Sequence, residues 1–144
     1  MFSKSCQYAL QSILYIVLHN KDARLVGLNE ISESQKIPRH FLSKILQQLV
    51  KAKVLNSAKG PNGGFSMNKS PEKLNLMTVV KIVDGFEIFD RCGIGLKTCS
   101  DKNPCPIHFS YKEVKQRIKD LLSEKTLSEL GEDVLKGKSI VSYR

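Results

Sequence analysis

No stretch of this chain reaches the roughly 18 apolar residues that a membrane helix needs, and Gln7, Gln11 and Ser12 interrupt its most hydrophobic part. Neither a membrane span nor a signal peptide is expected, and the cytoplasm is the expected compartment. Cys-x-x-Cys is missing as well, which argues against a thiol redox enzyme and against the usual zinc knuckle. There is no Gly-rich cofactor loop, no evident acid/base pair, no internal repeat and no low-complexity segment. Catalysis is therefore not expected. Acidic residues are scarce at the start, where none precedes Asp22.

What is present is basic and unevenly spread. The 144 residues carry a net charge of +9 and are 41% hydrophobic, enough for one packed soluble domain. Residues 1–69 hold 10 Lys/Arg against 3 Asp/Glu, whereas residues 70–144 hold 13 against 11. Such an excess in one half suits a polyanion, because Lys and Arg displace the counterions condensed on nucleic acid.

The apolar periodicity predicts a mainly α chain. Residues 2–19 place Phe2, Cys6, Ala9, Leu10, Ile13, Leu14, Val17 and Leu18 at helical spacing, with Cys6 read as a small core residue. His19 is read as a charge partner for that helix's C-terminus. A short helix over 28–34 and a third helix from Pro38 to about Lys53 come next, separated by a three-residue turn. The inward face of the third helix reads Phe41, Leu42, Ile45, Leu46 and Leu49. Its outer face reads His40, Ser43, Lys44, Gln47 and Lys51, without an acid. Segments 54–58 and 65–68 then flank Lys59-Gly60-Pro61-Asn62-Gly63-Gly64, a hairpin in which Asn and Gly are expected to supply positive φ.

Helix, turn, basic helix and Gly-rich hairpin outline a winged helix-turn-helix. Arg39, His40, Ser43 and Lys44 would lie near base edges, and Lys59, Gly60, Asn62 and Gly63 would bring the wing to the DNA backbone or minor groove. A shorter helix with Leu76, Val79, Val80 and Val83 as its stripe should stop at Gly85. From Pro106 onward, Ile107, Tyr111, Val114, Ile118 and Leu121 alternate in steps of four and three. That is a heptad seam, expected on one long helix that pairs with the same helix of a second subunit. The expected division is 1–70 for DNA binding, 71–105 for a connecting helix and cysteine loop, 106–130 for the dimerisation helix and 131–144 for a polar, mobile tail.

Between these helices lies CGIGLKTCSDKNPCPIH, residues 92–108, a Gly/Pro-broken loop with little to bury. Cys92, Cys99, Cys105 and His108 are four soft ligands within it, and bonds to iron or zinc would hold the loop in shape. In a reducing compartment clustered thiols bind metal or sense redox state, so a zinc site and a thiol-only sensor also stand as readings.

Residues 31–68, with IPRHFLSKILQQL leading into KAKVLNSAKGPNGGFSM, resemble the winged helix of the IscR/NsrR/CymR family of bacterial transcription regulators. GPNGGF is similar to that family's most recognisable signature, and the likeness extends through YALQSILYIV, LMTVVKIVDG and the cysteine loop. The resemblance implies a homodimeric regulator of a pseudo-palindromic DNA operator. It further implies an iron-sulfur cluster of the two-iron, two-sulfide type on Cys92, Cys99 and Cys105, with His108 matching the histidine that IscR-like members use. The first spacing is six residues rather than five, a departure from the IscR pattern. NsrR-like members use an aspartate from the first helix, where this chain has Tyr8. Some relatives lack a cluster and answer to a partner protein. The signal implied is iron, redox or nitric oxide status.

Overall fold

The computed structural model describes residues 2–142. Six helices and one hairpin are arranged in chain order: α1 Lys4–His19, α2 Leu28–Gln35, α3 Arg39–Lys51, β1 Leu55–Ala58, β2 Gly64–Met67, α4 Leu76–Val83, α5 His108–Glu124 and α6 Leu127–Leu135. The fold is a mainly α winged helix-turn-helix, with α1 at its centre.

Helix α1 is central because its apolar residues are not confined to one stripe. Ala9, Ile13 and Ile16 are fully buried in a core shared with Ile31, Leu42, Leu46 and Leu49 of α2 and α3, Val79 of α4 and Leu127 of α6. The Ser3 side chain caps α1 by accepting from the Cys6 N–H at 3.0 Å. Its own N–H donates to Asp84 at 2.9 Å, and its hydroxyl contacts the same carboxylate, which pins the start of α1 to the end of α4.

The α2–α3 turn reverses through Lys36, which adopts a left-handed conformation (φ 53°). Ile37 then drops into the core, its N–H donating to Ser32 O at 3.0 Å while Ser32 Oγ donates back to Ile37 O at 2.6 Å. Pro38 caps α3 from outside rather than opening it.

The wing pairs β1 with β2 antiparallel, Leu55 opposite Met67 and Ala58 opposite Gly64. Val26 adds a further bridge, exchanging two hydrogen bonds of 2.8 and 2.9 Å with Phe65. That close pairing accounts for Gly64, where a Cβ would stand 2.6 Å from the Val26 carbonyl oxygen. The turn differs from expectation. Gly60 supplies the left-handed residue (φ 104°), Asn62 does not, and Gly63 N–H closes on Gly60 O at 3.0 Å. The loop runs over residues 59–63, one residue shorter than the expected turn, because Gly64 already pairs in β2.

The single helix expected over 106–130 is two helices. Helix α5 ends at Glu124, Lys125 is extended, and Thr126 starts α6 with a capping box. In that box Thr126 Oγ1 accepts from Glu129 N–H at 3.1 Å, and Thr126 N–H donates to Glu129 Oε2 at 2.7 Å. Thr126 also bridges to Asn75, and Leu127 N–H donates to Leu74 O at 2.8 Å, so the chain is stitched back to the segment before α4. The boundary expected at residue 130 thus falls inside α6. Gly131, read as the start of a tail, is buried against Val17 of α1. Further on, Ser142 Oγ accepts from Gln35 Nε2 at 2.9 Å; residues 143 and 144 of that tail lie outside the described residues.

Candidate functional site

Two groups of residues stand out, one on the basic half and one in the cysteine loop. Helix α3 and the wing enclose a cleft of about 660 Å³, lined among others by Asn29, Arg39, Ser43, Gln47, Ser57, Lys59, Gly60 and Gly63. Of the residues proposed from sequence, the structure gathers Arg39, Ser43, Lys59, Gly60 and Gly63 here. His40, Lys44 and Asn62 are exposed outside the cleft lining, the first two on α3 and the third at the wing tip. Gln47, Asn29 and Ser57 enter the cleft although the sequence does not mark them as contacts. Phe41 corrects the sequence reading. Expected on the inward face, it is 51% exposed and its ring lies 4.3 Å from that of His40. An apolar ring among Arg39, His40 and Lys44 is a surface that can meet bases as well as phosphates.

In the loop, a turn after the 3-10 segment Glu87–Phe89 brings three thiols together. The sulfurs of Cys92, Cys99 and Cys105 all lie within 4.8 Å of one another, and Cys92 Sγ is 3.6 Å from Cys105 Sγ. Backbone N–H groups of Ile94 and Leu96 point at the Cys92 sulfur and, with hydrogen bonds from the neighbouring thiols, pull its pKa down to about 7. Cys99 also receives a backbone N–H, from Cys105, but desolvation and the adjacent thiols of Cys105 and Cys92 outweigh it and raise its pKa. Cys92 is thus more easily ionised than Cys99, as expected where thiols crowd one another and backbone N–H groups favour one of them. Cys6 is no part of this group. It is fully buried in α1, where desolvation first and then Asp84 push its thiol up to about 12.

His108 is the first residue of α5, and its Nδ1 lies 3.1 Å from Cys99 Sγ. The ring's other nitrogen is 2.7 Å from Asp101 Oδ1, and Asp101 Oδ2 is 2.6 Å from Lys112 Nζ. The Lys112 hydrogen bond, and after it that of His108, holds the Asp101 carboxyl below its ordinary range. Sequence reasoning misses Asp101. The run Ser-Asp-Lys-Asn-Pro announces a turn, and nothing in its spacing says where the carboxylate points. His19 stands in the last turn of α1, as expected, with its ring tilted against Tyr15 at a centroid distance of 4.1 Å, and partial desolvation lowers its pKa.

The heptad seam divides in the folded chain. Tyr111 rests on Gly93 of the loop and Ile118 packs on the small core of Cys6, Met77, Val80, Phe89 and Leu122. Ile107, Val114 (50% exposed) and Leu121 (66%) remain on the surface seven residues apart, with Phe109 beside the first. Leu122, outside the predicted seam, joins Ile118 on that core and is buried at 2% exposure.

Comparison with known proteins bears on these two groups. Residues 2–133 match the Rrf2 family, described as "Iron-dependent Transcriptional regulator". A putative HTH-type transcriptional regulator of Aquifex aeolicus (strain VF5) is 36% identical over 132 residues, covering 90% of each chain. The HTH-type transcriptional regulator IscR of Yersinia pestis is 31% identical over 131 residues, covering 90% of this chain and 79% of that one. Among solved structures, CymR, the global cysteine regulator of B. subtilis, superposes with a TM-score of 0.74 at 17% identity over 92% of this chain and 96% of that one. The T. potens IscR structure gives 0.73 at 18% identity, over 97% and 92% respectively. These two share the fold. With the sequence matched along nine-tenths of its length, the chain belongs to the Rrf2 family and is a transcription regulator rather than an enzyme.

Proposed function

We propose that this chain is a cytoplasmic, homodimeric DNA-binding regulator whose grip on a pseudo-palindromic operator depends on an iron-sulfur cluster held by Cys92, Cys99, Cys105 and His108. The observation that carries the reading is the convergence of three sulfurs within 4.8 Å of one another, with an imidazole nitrogen 3.1 Å from one of them at the start of α5. The donor set fits: three thiols and one imidazole are the soft ligands such a cluster takes, and backbone N–H groups aimed at the sulfurs offset thiolate charge. A bound cluster would supply sensitivity to iron supply, oxidants or nitric oxide. The residues would do the rest. Cys92 and Cys99 order the loop, Cys105 and His108 join it to α5, and α5 carries the exposed Ile107, Val114 and Leu121 to a second copy.

On the DNA side, Arg39, His40, Ser43 and Lys44 would enter the major groove, while Lys59, Gly60, Asn62 and Gly63 bring the wing to the backbone. A twofold pair of α3 helices reads half-sites about 34 Å apart, or a multiple of that.

The same sulfur spacing also suits a single structural ion. Two thiolates on one tetrahedral ion with bonds of about 2.3 Å lie roughly 3.8 Å apart, close to the 3.6 Å between Cys92 and Cys105. Anaerobic purification, then iron, zinc and acid-labile sulfide analysis, decides between the two. Sulfide-to-iron absorption bands with equimolar iron and sulfide support the cluster, and zinc without sulfide replaces it with a structural site.

A further inference from the structure

We infer that Asp101 is a positioning residue for the metal centre: it holds His108 in the tautomer and ring orientation that turn Nδ1 toward the cysteine sulfurs, so that His108 ligates through Nδ1. The inference rests on the metal-centre reading above and adds to it a residue that the ligand set does not contain.

The argument begins with donors and acceptors. A carboxylate only accepts, so the 2.7 Å contact between Asp101 Oδ1 and His108 Nε2 requires the proton on Nε2. In the neutral ring Nδ1 then carries the lone pair, and Nδ1 is the nitrogen that lies 3.1 Å from Cys99 Sγ. The ring is wedged between loop and helix, with its side chain 15% exposed.

Asp101 is itself held from two directions. Lys112 stands one helical turn beyond His108 on the same face of α5, and the carboxylate spans both, with Oδ2 2.6 Å from Lys112 Nζ. On the loop side, Ser100 and Asn103 exchange two backbone hydrogen bonds of 3.0 and 3.1 Å, which fold residues 100–103 into a tight turn with Asp101 at its tip. The distance between Cys99 and His108 is thus set through a side chain two residues past the cysteine. A carboxylate behind a ligating imidazole also makes its free nitrogen a better donor.

The test uses full-length protein and the variants Asp101→Ala and Asp101→Asn. Two-bond proton–nitrogen correlation spectra of metal-free, ¹⁵N-histidine-labelled protein report the tautomer of His108, whose signals are identified by their loss in His108→Ala. Anaerobic Co²⁺ titration reports how tightly the thiol–imidazole set closes on a soft ion, and circular dichroism confirms the fold. The expected results are a protonated Nε2 in the wild type and in Asp101→Asn, whose amide oxygen still accepts, and a mixed tautomer in Asp101→Ala. Co²⁺ binding by Asp101→Ala should be about 10- to 100-fold weaker, the usual loss when such a supporting group is removed. A wild-type His108 protonated on Nδ1, or an Asp101→Ala variant that matches the wild type in tautomer and Co²⁺ affinity, overturns the inference. Wild-type protein that binds no Co²⁺ overturns the metal centre and this inference together, an outcome distinct from a wild type that loads and a variant that loads equally well.

Discussion

One terminal nitrogen of Arg24 lies 2.8 Å from each carboxylate oxygen of Glu30, and the Tyr15 hydroxyl donates to the same group at 3.0 Å. The three groups join the C-terminal part of α1, the segment after it and the start of α2. Desolvation alone would raise the Glu30 pKa, but the hydrogen bonds from Arg24 and Tyr15 outweigh it and the net shift is downward. Nearby His19, exposed at the end of α1, is also lowered, chiefly by partial desolvation.

Both shifts have the same consequence for stability. A depressed pKa means that the unfolded chain binds the proton more tightly, so folding weakens as pH falls. The loss should begin below about pH 6.5 with His19 and continue below about pH 4.3 with Glu30. Urea midpoints at pH 7, 5.5 and 4 should decline in that order, and Glu30→Gln should flatten the lower part of the curve. A midpoint that rises on acidification would contradict the assignment.

Lys44→Ala should weaken operator binding without altering thermal stability or metal content, because Lys44 is exposed on α3. If it meets a phosphate, the slope of log affinity against log salt should shrink by about one. Phe41→Ala should likewise spare the fold, since the ring is half exposed, while reducing preference among operator sequences. Affinity unchanged in both variants would remove α3 from the DNA interface.

Leu121→Asp should convert a dimer to a monomer in sedimentation with little change in monomer fold, since the residue is 66% exposed. Leu122→Ala, its buried neighbour, should instead cost about 2–5 kcal/mol of stability. The pair separates the two faces of α5, and a Leu121→Asp protein that stays dimeric would rule out this seam as the contact.

Gly64→Ala should displace the wing, because the added carbon would meet the Val26 carbonyl at 2.6 Å. Fast hydrogen exchange at the Val26 and Phe65 amides, together with weakened DNA binding, is the expected readout. Protection at wild-type levels would show that the strand shifts without breaking the bridge.

Much of the helix-turn-helix is legible in the sequence because apolar spacing and charge agree: Leu42, Ile45, Leu46 and Leu49 point inward as periodicity requires. Phe41 goes the other way, since one aromatic at the edge of a stripe can serve either side. The break between α5 and α6 has a signal in Thr126 and Glu129, but their capping-box spacing is masked by the charged run around it. Gly131 resists reading for a different reason. A glycine in a polar segment suggests a loop, and only the proximity of Val17 shows that it permits close helix packing. The cysteines and His108 are visible in the sequence, but Asp101 becomes a partner only through a turn whose aim no spacing encodes.

Helix α5 is seated at one end. Ile118 and Leu122 sit in the small core, and the stitch at Leu74, Asn75, Thr126 and Leu127 clamps the chain beyond Glu124. Its first turns rest instead on loop residues Gly93 and Asp101. The helix is therefore a cantilever, 17 residues and about 25 Å long. If its tip is the reference, a change of angle of about 10° swings the far end of the helix by roughly 4 Å. That travel is comparable to the step of about 3.4 Å between base pairs. On the reading proposed above, stiffening or slackening the short loop at the tip would be enough to move α3 out of register with its site.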